Sequence, residues 1–164
     1  LSYAQREGLP TVVVRFFNTV GPRQVGEYGM VLPRFVKAAL AGEDLVIHGS
    51  GSQSRCFCDV RDVVWALPKL LENPEALGKV YNVGSDTPIT ISALADLVIG
   101  LTGSRSRKRY VPYDSVFGGG FEDLHERRPD LTRVRAAIGF RPRVTLEETI
   151  RDVAVQLRGQ ESRP

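Results

Sequence analysis
The segment Thr11 to Phe17, "TVVVRFF", constrains the fold more than any other stretch. A near-continuous run of β-formers is the pattern of a strand buried on both faces of a parallel sheet. It breaks at once into "NTVGPRQ", Asn18 to Gln24, an amide followed by a Gly-Pro pair and an arginine. A packed core needs none of these in that order. A ligand held at the carboxyl end of a strand does use them.

The remaining chain alternates in type. Leu32 to Leu40, "LPRFVKAAL", has helical spacing, with Pro33 tolerated in the first turn and Gly42 beyond the end. Leu45 to His48 reads as a short strand closed by "GSGS", and Arg55 to Val60 as another strand. Asp62 is expected to cap the helix "VVWALPKLLEN", inside which Pro68 is an irregularity. Val80 to Val83 reads as a strand. "TPITISALADLVIGLTG" reads as a short extended piece and then a helix capped by Thr90 or Ser92 and ended by Gly103. Tyr110 to Pro112 reads as a strand and "YDSVFGGGFEDLHERRP" as a flexible loop. Amphipathic helices follow near Leu131 to Ile138 and Leu146 to Leu157, and the tail "GQESRP" is expected to be disordered. The start, "LSYAQREGLP", lacks the basic and apolar regions of a signal peptide. It reads as the last turns of a helix closed by Gly8 and Pro10, so the chain is expected to be a fragment. Alternating elements of this kind predict an α/β or α+β fold.

Composition narrows the function. With 164 residues, 42% hydrophobic and 25% charged, the chain can bury one domain-sized core. The net charge of +3 favours an anionic ligand only weakly. No basic stripe interleaved with aromatics points to nucleic acid, and no apolar run reaches the ~18 residues of a membrane span. The densest basic run, "SRSRKRY" at Ser104 to Tyr110, reads as a solvated strand entry. Cys56 and Cys58 alternate in "RCFCDV" and would share one face of a strand. They cannot easily pair with each other, and His48 and His125 do not complete a metal pattern. They read as two small buried apolar residues of a reducing compartment, the cytoplasm.

Three polar clusters mark the ends of elements: "NTVGPRQ", "GSGSQSR" and "ERRPD". Asn18 offers an amide donor and acceptor. Arg55, Arg127 and Arg128 offer guanidinium forks suited to phosphate oxygens, and Asp130 offers an acceptor for a ribose hydroxyl. The alternative is that all three are turns with surface ion pairs. There is no G-x-G-x-x-G turn opening a helix, and "GSGSQS" leads into a strand, so the context of a dinucleotide or P-loop site is missing. Asp59, Asp62, Glu147 and Glu148 stand where capping and solvation explain them. The residues alone build no catalytic mechanism.

Four stretches carry a resemblance: "PTVVVRFFNTVGPRQ", "VLPRFVKAALAGEDLVIHGSGSQSRCFCDVRDVV", "YNVGSDTPITISALADLV" and "RRPDLTRVRAAIGFRPRVTLEETIRD". In that order they resemble the C-terminal half of the NAD-dependent nucleotide-sugar epimerase/dehydratase family, the extended short-chain dehydrogenases. Members include UDP-glucose 4-epimerase, dTDP-glucose 4,6-dehydratase and UDP-glucuronate decarboxylase. The match runs from Tyr3 to about Val155. It implies the last strands of a Rossmann-type parallel sheet together with a mixed α/β substrate-binding subdomain. Residue by residue, it implies that Asn18 reaches a sugar-nucleotide diphosphate. Val31 and Leu32 would give backbone contacts near the nucleotide, and Val46 and His48 would line the base. Arg55 and Arg127 would hold phosphate, with Arg128 the neighbour of Arg127, and Asp130 would hold ribose. The backbone of Phe16 and Phe17 would lie near the nicotinamide of NAD.

The resemblance further implies a UDP- or dTDP-sugar ligand, an enzyme most like UDP-glucose 4-epimerase, and a homodimer. The family's N-terminal half carries G-x-x-G-x-x-G, a serine or threonine, and Y-x-x-x-K, and none of these is present here. Tyr3 is followed by Gln5, Arg6 and Glu7 and is not that tyrosine. The cofactor and the catalytic residues are therefore expected on a missing Rossmann half, and this chain by itself is expected to be inactive. The alternative is a non-catalytic sugar-nucleotide-binding or regulatory module of the same fold.

Overall fold
The computed structural model describes residues 2–24, 30–113 and 124–161. The elements run α1 (Ser2–Glu7), β1 (Val13–Phe16), β2 (Thr19–Val20), α2 (Val31–Ala41), β3 (Leu45–His48), β4 (Ser54–Cys56) and β5 (Cys58–Asp59). Then come α3 (Val60–Leu71), β6 (Val80–Val83), β7 (Pro88–Thr90), α4 (Ile91–Thr102), β8 (Lys108–Val111), β9 (Glu126–Arg127), α5 (Thr132–Ile138) and α6 (Leu146–Glu161). The fold is a mixed α/β one. Three pairs of strands, β1–β6, β2–β5 and β3–β8, are parallel. A fourth sheet sets β4 between antiparallel β7 and parallel β9.

Two apolar cores hold these layers. In one, Leu32, Phe35 and Val36 of α2 meet Leu45 and Ile47 of β3, Leu94 and Val98 of α4, and Ile150 and Val153 of α6. In the other, Val63, Ala66 and Leu70 of α3 meet Tyr81 and Val83 of β6, Val134 of α5, and Phe140. The helix ends follow local chemistry. Gly42 and Gly103 close α2 and α4 in the left-handed conformation, and the Thr90 hydroxyl accepts from the Ala93 N–H at 3.1 Å.

Several expectations are corrected. β1 is not buried on both faces: Val13 and Val14 are half-buried, and Arg15 and Phe16 are exposed, Phe16 to 55%. Among the described strands only β6 pairs with it, so its other edge lacks a neighbour to bury it. The strand foreseen over Arg55 to Val60 is two strands. β4 pairs with β7 and β9 and β5 pairs with β2, the chain changing partners at Phe57.

Asp62 does not cap α3. Asp59 does, accepting from the Arg61 N–H at 2.8 Å, while Asp62 accepts from the backbone N–H groups of Arg143 and Val144 at 3.0 and 3.1 Å. Both carboxylates are buried rather than solvated. Gly159 to Glu161 of the expected disordered tail extend α6, while 162–164 lie outside the described residues. Most of the expected glycine-rich loop, 114–123, also lies outside them. Cys56 and Cys58 are buried and free, as foreseen, and burial pushes the Cys58 thiol up to about 12. None of the described helices is long and apolar enough to cross a membrane.

Candidate functional site
A cavity of about 740 Å³ opens beside α2, within the ~300–1,000 Å³ range of small-molecule sites. Its wall begins at Asn18, the residue on which the β1 segment turns. Asn18 takes a left-handed φ of 39°, which Asn tolerates better than most side chains. Its amide nitrogen donates to the Cys56 carbonyl at 2.9 Å, and its own carbonyl accepts from the Cys58 N–H at 3.2 Å. One residue thus fastens both strands on either side of Phe57, which lines the cavity with it.

The first turn of α2 brings Val31 and Leu32 to the wall, Leu32 with its side chain in the core. β3 adds Val46 and His48, the half-buried positions that alternate with core Leu45 and Ile47. Burial first, and the charge of Arg34 second, hold the His48 imidazole below its ordinary value. The loop after His48 turns through Gly49 and Gly51, both at positive φ, which residues with a side chain rarely adopt. It delivers Gln53 and Arg55. Arg55 Nη1 donates to the carbonyls of Ser54 and Leu124 at 2.7 and 2.8 Å, so the side chain is held rather than swinging in solvent.

Six foreseen residues meet at this one cavity: Asn18, Val31, Leu32, Val46, His48 and Arg55. Five others do not line it. Arg127 is exposed on β9 as the register partner of Arg55. Asp130 lies two residues before the start of α5 and accepts from the Thr132 N–H at 2.9 Å. The Thr132 side chain first, and this backbone N–H second, hold the carboxyl below its usual value. Phe16 ends β1 in the open, and Phe17 packs so closely on Gly84 that a Cβ there would come within 2.8 Å of it. Arg128 is exposed beside Arg127.

Other wall residues escaped the sequence reading: Thr19, Gln24, Arg34, Gln53 and Tyr113. Gln53 stood inside the quoted "GSGSQSR" cluster, and Gln24 inside "NTVGPRQ". Tyr113 had no local signal, because its partner Gln53 is 60 residues away. Thr19 Oγ1 and Gln24 Oε1 are buried with no hydrogen-bond partner among the described residues. Such orphans cost about 1–3 kcal/mol each, a deficit that donors of a bound molecule can relieve.

Comparison with known proteins agrees with this architecture. The chain is 39% identical over 153 residues to the UDP-N-acetyl-alpha-D-glucosaminuronate decarboxylase of Bacillus cytotoxicus, covering 93% of this chain and 47% of that protein. It is 35% identical over 147 residues to UDP-glucuronic acid decarboxylase 1 of Danio rerio, covering 90% of this chain and 33% of that protein. The chain therefore spans half or less of the length of these curated relatives. Its fold superposes on the UDP-glucose 4-epimerase of Thermotoga maritima, solved with UDP-glucose, at a TM-score of 0.87 and 29% identity. That match covers 98% of this chain and 50% of the other. Residues 1–84, about half of the 164, match the model of the NAD dependent epimerase/dehydratase family. The chain belongs to the NAD-dependent epimerase/dehydratase family.

Proposed function
We propose that this chain is the sugar-nucleotide-binding part of an NAD-dependent enzyme acting on UDP-sugars. The observation that carries the reading is the cavity wall. Asn18, Val31, Leu32, Val46, His48 and Arg55 come from four separate segments and converge on one cavity. Arg55 and its register partner Arg127 supply two cations for a diphosphate. Val46 and His48 supply an apolar and aromatic surface for a base. Thr19 and Gln24 hold oxygens with no partner among the described residues, toward which hydroxyls or ring N–H groups can donate.

The described residues do not by themselves fit NAD. Their glycine loop ends a strand and runs into β4, with no helix N-terminus to receive a pyrophosphate. We place the cofactor and the catalytic residues on sequence outside these 164 residues, with Phe16 and Phe17 at the border. The hydride chemistry belongs to that cofactor when it is bound.

The relatives favour a uronic acid as the sugar. The two decarboxylases are 39% and 35% identical to this chain, and the 4-epimerase is 29% identical. A UDP-uronate decarboxylase is thus supported above the 4-epimerase. The test is to incubate the full-length protein and NAD with UDP-glucuronate, UDP-N-acetylglucosaminuronate and UDP-glucose. Carbon dioxide and a UDP-pentose from a uronate support decarboxylation. A 4-epimer without carbon dioxide supports the epimerase. No turnover with retained UDP binding supports a binding module.

A further inference from the structure
We propose that Gln53 is a positioning residue that fixes the base-facing wall of the cavity by holding His48 and Tyr113 together. The inference rests on the sugar-nucleotide reading of the site. Gln53 is a buried polar side chain, 8% exposed, on the loop between β3 and β4. Its amide nitrogen donates to the His48 carbonyl at 3.0 Å and to the Tyr113 hydroxyl at 2.8 Å. The two rings meet edge to face, with centroids 6.5 Å apart and planes at 68°. Gly49 packs under Tyr113 so tightly that a Cβ there would overlap the ring. All three of Gln53, His48 and Tyr113 line the cavity.

This arrangement has a physical purpose. An aromatic ring at a cavity wall recognises a planar base only if its orientation is settled before the ligand arrives, since ordering it later subtracts from affinity. His48 ends β3, where its backbone is held by the ladder to β8. Tyr113 stands two residues beyond β8. The Gln53 amide ties these two strand ends, and the Gly49 contact leaves the Tyr113 ring one side on which to rest. Gln53 therefore acts through the two rings and needs no contact with the ligand.

The experiment measures affinities of UDP and ADP for the full-length protein as wild type, Gln53→Met, Tyr113→Phe and the double variant. A wall shaped for a pyrimidine predicts that Gln53→Met weakens UDP by about tenfold and leaves ADP nearly unchanged, so that the ADP-to-UDP ratio of dissociation constants collapses by a similar factor. Tyr113→Phe, which removes one oxygen, should move the ratio the same way. The double variant should be little worse than Gln53→Met alone, because the bond that Tyr113→Phe cuts is already lost in Gln53→Met. Equal losses for UDP and ADP, additive effects, or an unchanged ratio overturn the positioning role. A wild-type protein that binds neither nucleotide overturns the sugar-nucleotide reading itself, and the inference with it.

Discussion
Arg55 on β4 and Arg127 on β9 are register partners in a parallel ladder, so their side chains leave the same face of one small sheet. Like charges opposite each other destabilise a sheet by roughly 0.2–1 kcal/mol. A bound diphosphate reverses that sign. Arg127→Gln is therefore expected to leave the melting temperature of the ligand-free protein unchanged or raised, while UDP-sugar affinity falls about ten- to a hundredfold. Thermal shift with and without UDP reads both quantities. A lower ligand-free melting temperature with an unaltered UDP shift would contradict the pairing.

Asp59 gives a pH prediction. Burial pushes its carboxyl up, but the Arg61 side chain, the Arg61 N–H and the Thr149 hydroxyl outweigh it and hold the carboxyl below its usual value. The four contacts are 2.7–2.9 Å long. A folded value below the unfolded ~3.9 means the stabilisation is complete above that pH and is lost as pH falls through the folded value. Asp59→Asn is expected to cost about 2 kcal/mol at neutral pH and to flatten the acid limb below about pH 4. Urea unfolding across pH measures this. An acid limb parallel to wild type would assign the titration to another group.

Local chemistry made much of the fold legible. Pro33 and Gly42 bracket α2, Thr90 and Gly103 bracket α4, and both helices stand where these residues put them. The failures are tertiary. "RCFCDV" looks like one strand, but Asn18 fastens Cys56 and Cys58 from the side and lets β4 and β5 choose different partners. Asp62 looks like a cap until Arg143 and Val144, about eighty residues on, supply the N–H groups it accepts. The site divides in the same way. Asn18, His48 and Arg55 sit at strand ends that a sequence displays. Tyr113 reaches the wall beside Gln53, 60 residues earlier in the chain, and Asp130 bonds Thr132 away from the cavity lining.

Gly49→Ala tests the close packing at the cavity wall. The new Cβ would meet the Tyr113 ring, and Gly49 already has a φ of 71°. Backbone strain alone costs about 1–3 kcal/mol. The expected result is a lower melting temperature and UDP binding at least about tenfold weaker. Gly78→Ala, with a φ of 73° and open space around it, should destabilise the fold and leave UDP affinity unchanged. Equal effects of the two variants on UDP would remove the special place of Gly49.

The open side of β1 makes a prediction for the 164-residue chain by itself. Phe16 is 55% exposed, and Val13 and Val14 are only half-buried. Exposed apolar area costs about 25 cal/mol per Å², and an unpaired strand edge is a template for another chain. Self-association is expected in light scattering at micromolar concentration. A monodisperse monomer would show that this edge needs no cover.

The most direct test of the central claim is a crystal structure of the full-length protein with a UDP-uronate. The account predicts the diphosphate within hydrogen-bond distance of Arg55, with Arg127 turned toward it, and the uracil against Val46 and His48. A nucleotide bound away from these residues, or a cavity that stays empty at saturating ligand, would contradict it.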